Sequence, residues 1–180
     1  MGDCVKEGGW QVLDFKDLRK YTENSRIEAK KATGGLPRSL WETYSAFANT
    51  VGGIILLGVE ELVDKSFKTV KLPDPNRLIE DFWQGINDLK IVSANILNGD
   101  DVQIVEAEGN PIVIIKVPRA SRQDKPVYLG NDPFSGSYRR SGEGDYRCTR
   151  EEVLSMLRDR EDVSQDMRVL GNMNLNVLAY

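Results

Sequence analysis

SAFANTVGGIILLGVEE, residues 45–61, decides how this chain is read. Its first part continues an amphipathic helix. Ser39 stands three residues before Glu42, a capping-box spacing, and Leu40, Tyr44, Phe47 and Ala48 follow at helical intervals. The pattern stops near Asn49 and Thr50, where Gly52 and Gly53 break it. Ile54 to Val59 is then an almost wholly apolar run, which suits a strand buried on both faces of a sheet. Helix, glycine turn and doubly buried strand predict a mixed α/β (α+β) domain, a small mixed sheet with helices packed on it.

Working outward, residues 26–31 read as a short strand and TGGLP at 33–37 as a break. Val12, Leu13, Phe15 and Leu18 suggest a strand or turn entering a helix over 15–20. On the other side, Pro73 and Pro75 open a second amphipathic helix with Leu78, Ile79, Phe82, Trp83, Ile86 and Leu89 on its inner side. Residues 102–106 and 112–117 flank Gly109-Asn110-Pro111 and predict a hairpin. A polar, proline-punctuated stretch follows, ordered around Lys125-Pro126-Val127-Tyr128, and 137–140 gives a last short strand. Thr149 and Glu152 form a second capping box, opening a helix through Val153, Leu154 and Leu157.

The expected organisation is an N-terminal extension over 1–20, one domain over 21–160, and a linker and tail over 161–180 leading to a missing C-terminal region. In that tail Val169, Leu170, Met173, Leu175, Val177, Leu178 and Tyr180 form an apolar set after a charged linker. Such a set wants a partner surface, and a homodimer through the tail is the expectation.

Composition narrows the chemistry. The 180 residues include no histidine, so Ser-His-Asp, Cys-His and His-ligated metal chemistry are excluded. Cys4 and Cys148 have neither CxxC spacing nor histidines to complete a zinc set, which fits a reducing compartment. No run of about 18 apolar residues or signal-peptide pattern occurs, so a cytoplasmic protein without a membrane partner is expected. A net charge of -4 argues against wholesale coating of nucleic acid and leaves room for a local basic patch.

Residues 45–61 resemble the most diagnostic stretch of the Schlafen-type AlbA-like DNA-binding domains. Glu28-Ala29-Lys30, Lys125-Pro126-Val127-Tyr128 and Tyr138-Arg139-Arg140-Ser141-Gly142 follow the family's order, so the resemblance spans roughly 21–158. It implies a DNA-binding domain at the front of a bacterial transcriptional-regulator-like protein. Two departures stand out: Glu60-Glu61 replaces the family's Asp-Asp or Asp-Asn, and Ala29 replaces its common aromatic.

Three candidate sites follow. Arg119, Arg122, Lys125, Arg139 and Arg140, with Lys30, Tyr128 and Tyr138, are the candidate contacts to DNA or RNA, arginines placing phosphates and aromatics stacking on bases. The bland alternative is a solvated loop surface. Glu23, Glu28 and Glu61 fall where the resemblance places the three acids of RNA-cleaving Schlafen relatives, which implies a magnesium- or manganese-dependent RNase or DNase. The alternative there is three surface acids. The Asn49–Gly53 turn is either a phosphate approach or, as the helix-glycine-strand order favours, a structural helix end. A protein-interaction module remains a third reading of the whole chain.

Overall fold

The computed structural model describes residues 15, 17–21 and 23–176. After a 3-10 turn at Leu18–Lys20 come β1 (Ile27–Lys30), α1 (Ser39–Asn49), β2 (Gly53–Leu57), β3 (Val59–Glu61), β4 (Phe67–Thr69) and α2 (Pro75–Ile86). Then follow β5 (Val102–Ala107), β6 (Asn110–Val117), α3 (Pro133–Gly136), β7 (Tyr138–Ser141), β8 (Gly144–Arg147) and α4 (Arg150–Asn176). The main sheet has the order β1-β2-β6-β5. β1 runs parallel to β2 across the α1 crossover, and the other pairs are antiparallel, so the sheet is mixed and the domain α+β. Two separate hairpins, β3-β4 and β7-β8, stand beside it.

β2 is the strand that residues 45–61 call for, buried at all five positions. Alternation sends Ile55 and Leu57 to one face, with Val113, Ile115 and Val117, where Leu40, Tyr44 and Phe47 of α1 and Leu78, Phe82 and Ile86 of α2 cover them. Ile54 and Leu56 face the other way with Ile27, Ile112 and Ile114, onto Phe15, Leu18, Val59 and Phe67. Phe15 and Leu18 precede Tyr21, so the packed core draws on residues of the expected extension. The strand ends at Leu57 because Gly58 takes a φ of 87°, and a Cβ there would lie 2.9 Å from Leu72. Val59 thus opens the β3-β4 hairpin.

α1 begins differently from the capping-box expectation. Arg38 is its N-cap and already helical, and no side chain caps it. Leu40 N–H donates to Pro37 O and Trp41 N–H to Arg38 O, so the backbone supplies the first turn. The Ser39 hydroxyl instead accepts from Lys30 Nζ at 3.1 Å. The second capping box forms as read: Thr149 N–H donates to Glu152 Oε2 at 2.7 Å and Glu152 N–H to Thr149 Oγ1 at 3.2 Å. α4 then runs without a break through the expected linker to Asn176. Val12, Leu13, Val177, Leu178 and Tyr180 lie outside the described residues. Leu89, expected on the inner side of α2, lies beyond its end and is 71% exposed. No helix among the described residues is long and apolar enough to cross a membrane.

Candidate nucleic-acid interface

Polar residues on the otherwise apolar α1, with the Thr50 that ends it, fasten the C-terminal part of the chain. Thr43 Oγ1 donates to Asp145 Oδ2 at 2.7 Å. Ser45 Oγ donates to Val127 O at 2.7 Å and accepts from Tyr138 N–H at 3.0 Å. Asn49 Nδ2 donates to Val127 O (2.8 Å) and Tyr138 O (3.0 Å), while its Oδ1 accepts from Val127 N–H at 2.8 Å. Thr50 Oγ1 accepts from Arg140 N–H at 3.0 Å. Ser45, Asn49 and Thr50 satisfy backbone groups of two segments far away in sequence, which burial would otherwise orphan. Asn49 is therefore spent on the main chain. Gly52, at a φ of 76°, closes α1 with its N–H on Phe47 O, and a Cβ on Gly53 would lie 2.6 Å from the Phe47 ring. The turn is a structural helix end.

The three acids do approach one another, but around cations of the chain itself. Arg140 is buried, its side chain 1% exposed, with Nη2 3.0 Å from Glu28 Oε2 and Nη1 2.9 Å from Asp145 Oδ1. Nη2 also donates to Asn24 O at 2.8 Å, and the guanidinium sits over the Phe47 ring. The other Glu28 oxygen holds Lys30 Nζ at 3.2 Å. Glu61 Oε1 holds Lys65 Nζ at 2.9 Å, and its Oε2 is buried without a hydrogen-bond partner. Glu23 Oε1 accepts from Ala29 N–H at 3.1 Å. Burial, then the Glu28 and Glu61 charges, push the Glu23 carboxyl above its usual range, against the Ala29 amide and Arg140. Among the described residues no three His, Cys, Asp or Glu side chains are arranged to hold a metal ion. Glu28 directs both of its oxygens at internal cations and Glu23 and Glu61 direct one each at an internal donor, which leaves Glu61 Oε2 unpartnered.

The basic candidates divide sharply. Arg140 and Lys30, expected at the interface, are instead internal ion-pair partners of Glu28, with Asp145 as a second partner of Arg140. Tyr138 is likewise buried, its hydroxyl 3.4 Å from Glu42 Oε1. Tyr128 is half-buried, with its N–H on Ser93 Oγ. Arg139 is 40% exposed, paired with Glu152 at 3.3 Å and set over the Tyr146 ring. Arg119 and Arg122 are exposed on the loop after β6 and crowd the half-buried Lys125. Burial first, then Arg119 and Arg122, push the Lys125 ammonium below its usual range, and Asp159 of α4 partly offsets this. A cluster of like charges on one loop is an anion-ready surface. The sequence also missed Asp145, which anchors Arg140. Its signal was slight: one of the two acids between the Arg139-Arg140 pair and Arg147, in a segment without apolar alternation.

The chain matches the family described as Schlafen, AlbA_2 over residues 12–149. No curated protein matches it. Among solved structures, it resembles the N-terminal domain of a protein from Nitrosomonas europaea described as related to the ATP-dependent DNA helicase RecG. The identity is 30% and the TM-score 0.54, over 73% of this chain and 88% of that one. The DIP2311 protein from Corynebacterium diphtheriae is 18% identical, with a TM-score of 0.48, over 74% of this chain and 24% of that one.

Proposed function

Because the chain belongs to the Schlafen, AlbA_2 family, we propose that it is a nucleic-acid-binding domain whose phosphate contacts come from Arg119, Arg122 and Lys125. The observation that carries this reading is the crowding of three cations on one loop of an acidic chain. An anion arriving there relieves their mutual repulsion, whereas Arg140 and Lys30 already have carboxylate partners. The Nitrosomonas relative, described as related to a DNA helicase, supports the same partner class. In its fuller form the proposal places the domain in a bacterial transcriptional-regulator-like protein of the cytoplasm, with the C-terminal tail joining two copies.

The test is a binding isotherm on labelled duplex and single-stranded DNA and RNA at several salt concentrations, for wild type and for Arg119→Ala and Arg122→Ala. Weakened binding with a shallower salt dependence in both variants supports the reading. Variants that bind like wild type at every salt concentration remove it.

A further inference from the structure

Arg26 lies outside the basic loop in sequence and beside it in the fold. It precedes β1 in a tight turn, where its N–H donates to Asn24 Oδ1 at 2.7 Å and Asn24 and Ile27 exchange backbone hydrogen bonds. Arg26 O accepts from Ile54 N–H at 2.7 Å, which fixes this turn to the start of β2. On the other side of β2, β6 ends at Val117 opposite Gly53, and Ala120 N–H then donates to Ala48 O at 2.8 Å. Arg26 and Arg119 therefore flank the Val51–Gly53 turn, one strand to each side of β2. Buried Arg140 braces the arrangement, with Nη2 on Asn24 O at 2.8 Å and its backbone N–H on Thr50 Oγ1 at 3.0 Å.

The charges at this end of the sheet are unbalanced. Arg26, Arg119 and Arg122 are exposed and form no ion pair among the described residues. The neighbouring acids are occupied: Glu23 accepts from Ala29 N–H, Glu28 holds Arg140 and Lys30, and Asp124 accepts from the Ser121 hydroxyl at 2.9 Å. Between the arginines, Thr50, Val51, Gly52, Gly53 and Pro118 carry no charge. Two inter-strand steps separate β1 from β6, about 10 Å. That matches about three phosphate steps of 3.4 Å along one strand of a duplex.

We propose that one nucleic-acid strand runs from the basic loop across the Val51–Gly53 turn to Arg26, which makes Arg26 a phosphate contact of the same track. The inference rests on the nucleic-acid reading above and gives that site its direction and a further residue. The end of α1 carries a partial negative charge, so the phosphates are held at the arginines on either side and not over the turn itself. Because its backbone is hydrogen-bonded to both Asn24 and Ile54, Arg26 is presented from a fixed point, and little ordering of the chain is needed on binding.

Fluorescence anisotropy on labelled duplex DNA across a salt series tests this, with the full chain and Arg26→Ala, Arg26→Lys, Arg119→Ala, the Arg26→Ala/Arg119→Ala pair and Lys68→Ala. Lys68 is an exposed cation on β4, whose hairpin follows the opposite end of β2. Circular dichroism verifies folding of each variant. Arg26→Ala is expected to lower the slope of log affinity against log salt by about 0.9 and the double variant by about 1.8, while Arg26→Lys and Lys68→Ala keep the wild-type slope. An unchanged slope in Arg26→Ala beside a lowered one in Arg119→Ala overturns the inference and leaves the basic-loop reading standing. A slope lowered equally by Lys68→Ala overturns it too, since the effect is then one of net charge. A slope lowered by Arg26→Ala and not by Arg119→Ala overturns the shared track, and absence of binding by wild type overturns both readings.

Discussion

Arg140 Nη2 stands 3.0 Å from Glu28 Oε2, tying β7, near the end of the domain, to β1 at the edge of the main sheet. The same guanidinium holds Asp145 at 2.9 Å, and Asp145 in turn takes the Thr43 hydroxyl of α1. Two basic residues adjacent in sequence thus have opposite roles: Arg139 is partly exposed and Arg140 is an internal brace.

Arg140→Ala should therefore destabilise the fold. Removing Arg140 leaves Asp145 without its cation and Glu28 with Lys30 alone, at a cost of about 3–5 kcal/mol. Exposed Arg119→Ala should change stability by no more than about 0.5 kcal/mol. Urea denaturation of the two variants checks this, and equal stabilities would return Arg140 to the surface role expected of it from sequence.

Asn49→Ala should cost about 3 kcal/mol, since it strips these partners from the Val127 N–H and the Tyr138 carbonyl and leaves the Val127 carbonyl to the Ser45 hydroxyl alone. Asn49→Asp should fare no better, because it keeps the acceptor for Val127 N–H but turns an anion toward two carbonyl oxygens. Thermal melts of both variants provide the measurement.

The Glu23 carboxyl is raised, so the folded state binds its proton more tightly than the unfolded chain does. Its contribution to stability is full below the ordinary carboxyl range and is lost as pH rises through the folded value. Glu23→Gln keeps an acceptor for the Ala29 N–H and removes the charge. The difference in melting temperature, variant minus wild type, should therefore grow more positive from pH 4 to pH 7. A difference that is flat or falls with pH contradicts the assignment.

Magnesium or manganese at millimolar concentration should leave the melting temperature unchanged and produce no cleavage of RNA or DNA. A bound ion at one hundred times its Kd would stabilise the fold by about 2.7 kcal/mol. A rise in melting temperature abolished by Glu28→Gln would reinstate the nuclease reading, with Glu23, Glu28 and Glu61 as ligands.

In the binding assay, each phosphate contact removed should lower the slope of log affinity against log salt by about 0.9 on duplex DNA. Arg119→Ala and Arg122→Ala should each show this, whereas Arg140→Lys should not, provided the protein remains folded. Filter binding across a salt series measures the slopes.

What the sequence determined by itself is the local and periodic part of this protein. Alternation, helical spacing and glycine breaks report which side chains avoid water, so α1, β2, α2 and the β5-β6 hairpin were legible, as was the cap at Thr149. The three-residue β3 and β4 are too short for any period to register, β8 (Gly144–Arg147) has no buried position to mark it, and Ser39 has capping chemistry that the Pro37 and Arg38 backbone makes unnecessary. Only the tertiary structure decided which charges are free. A lysine or arginine reads the same in sequence whether it meets solvent or a carboxylate, and Glu28 comes to Arg140 from over one hundred residues away because β1 and β7 are brought together across α1. Ion pairing depends on separation in space, which the linear order does not encode. Tertiary packing therefore turned Arg140 and Lys30 inward and left Arg119 and Arg122 exposed beside Lys125.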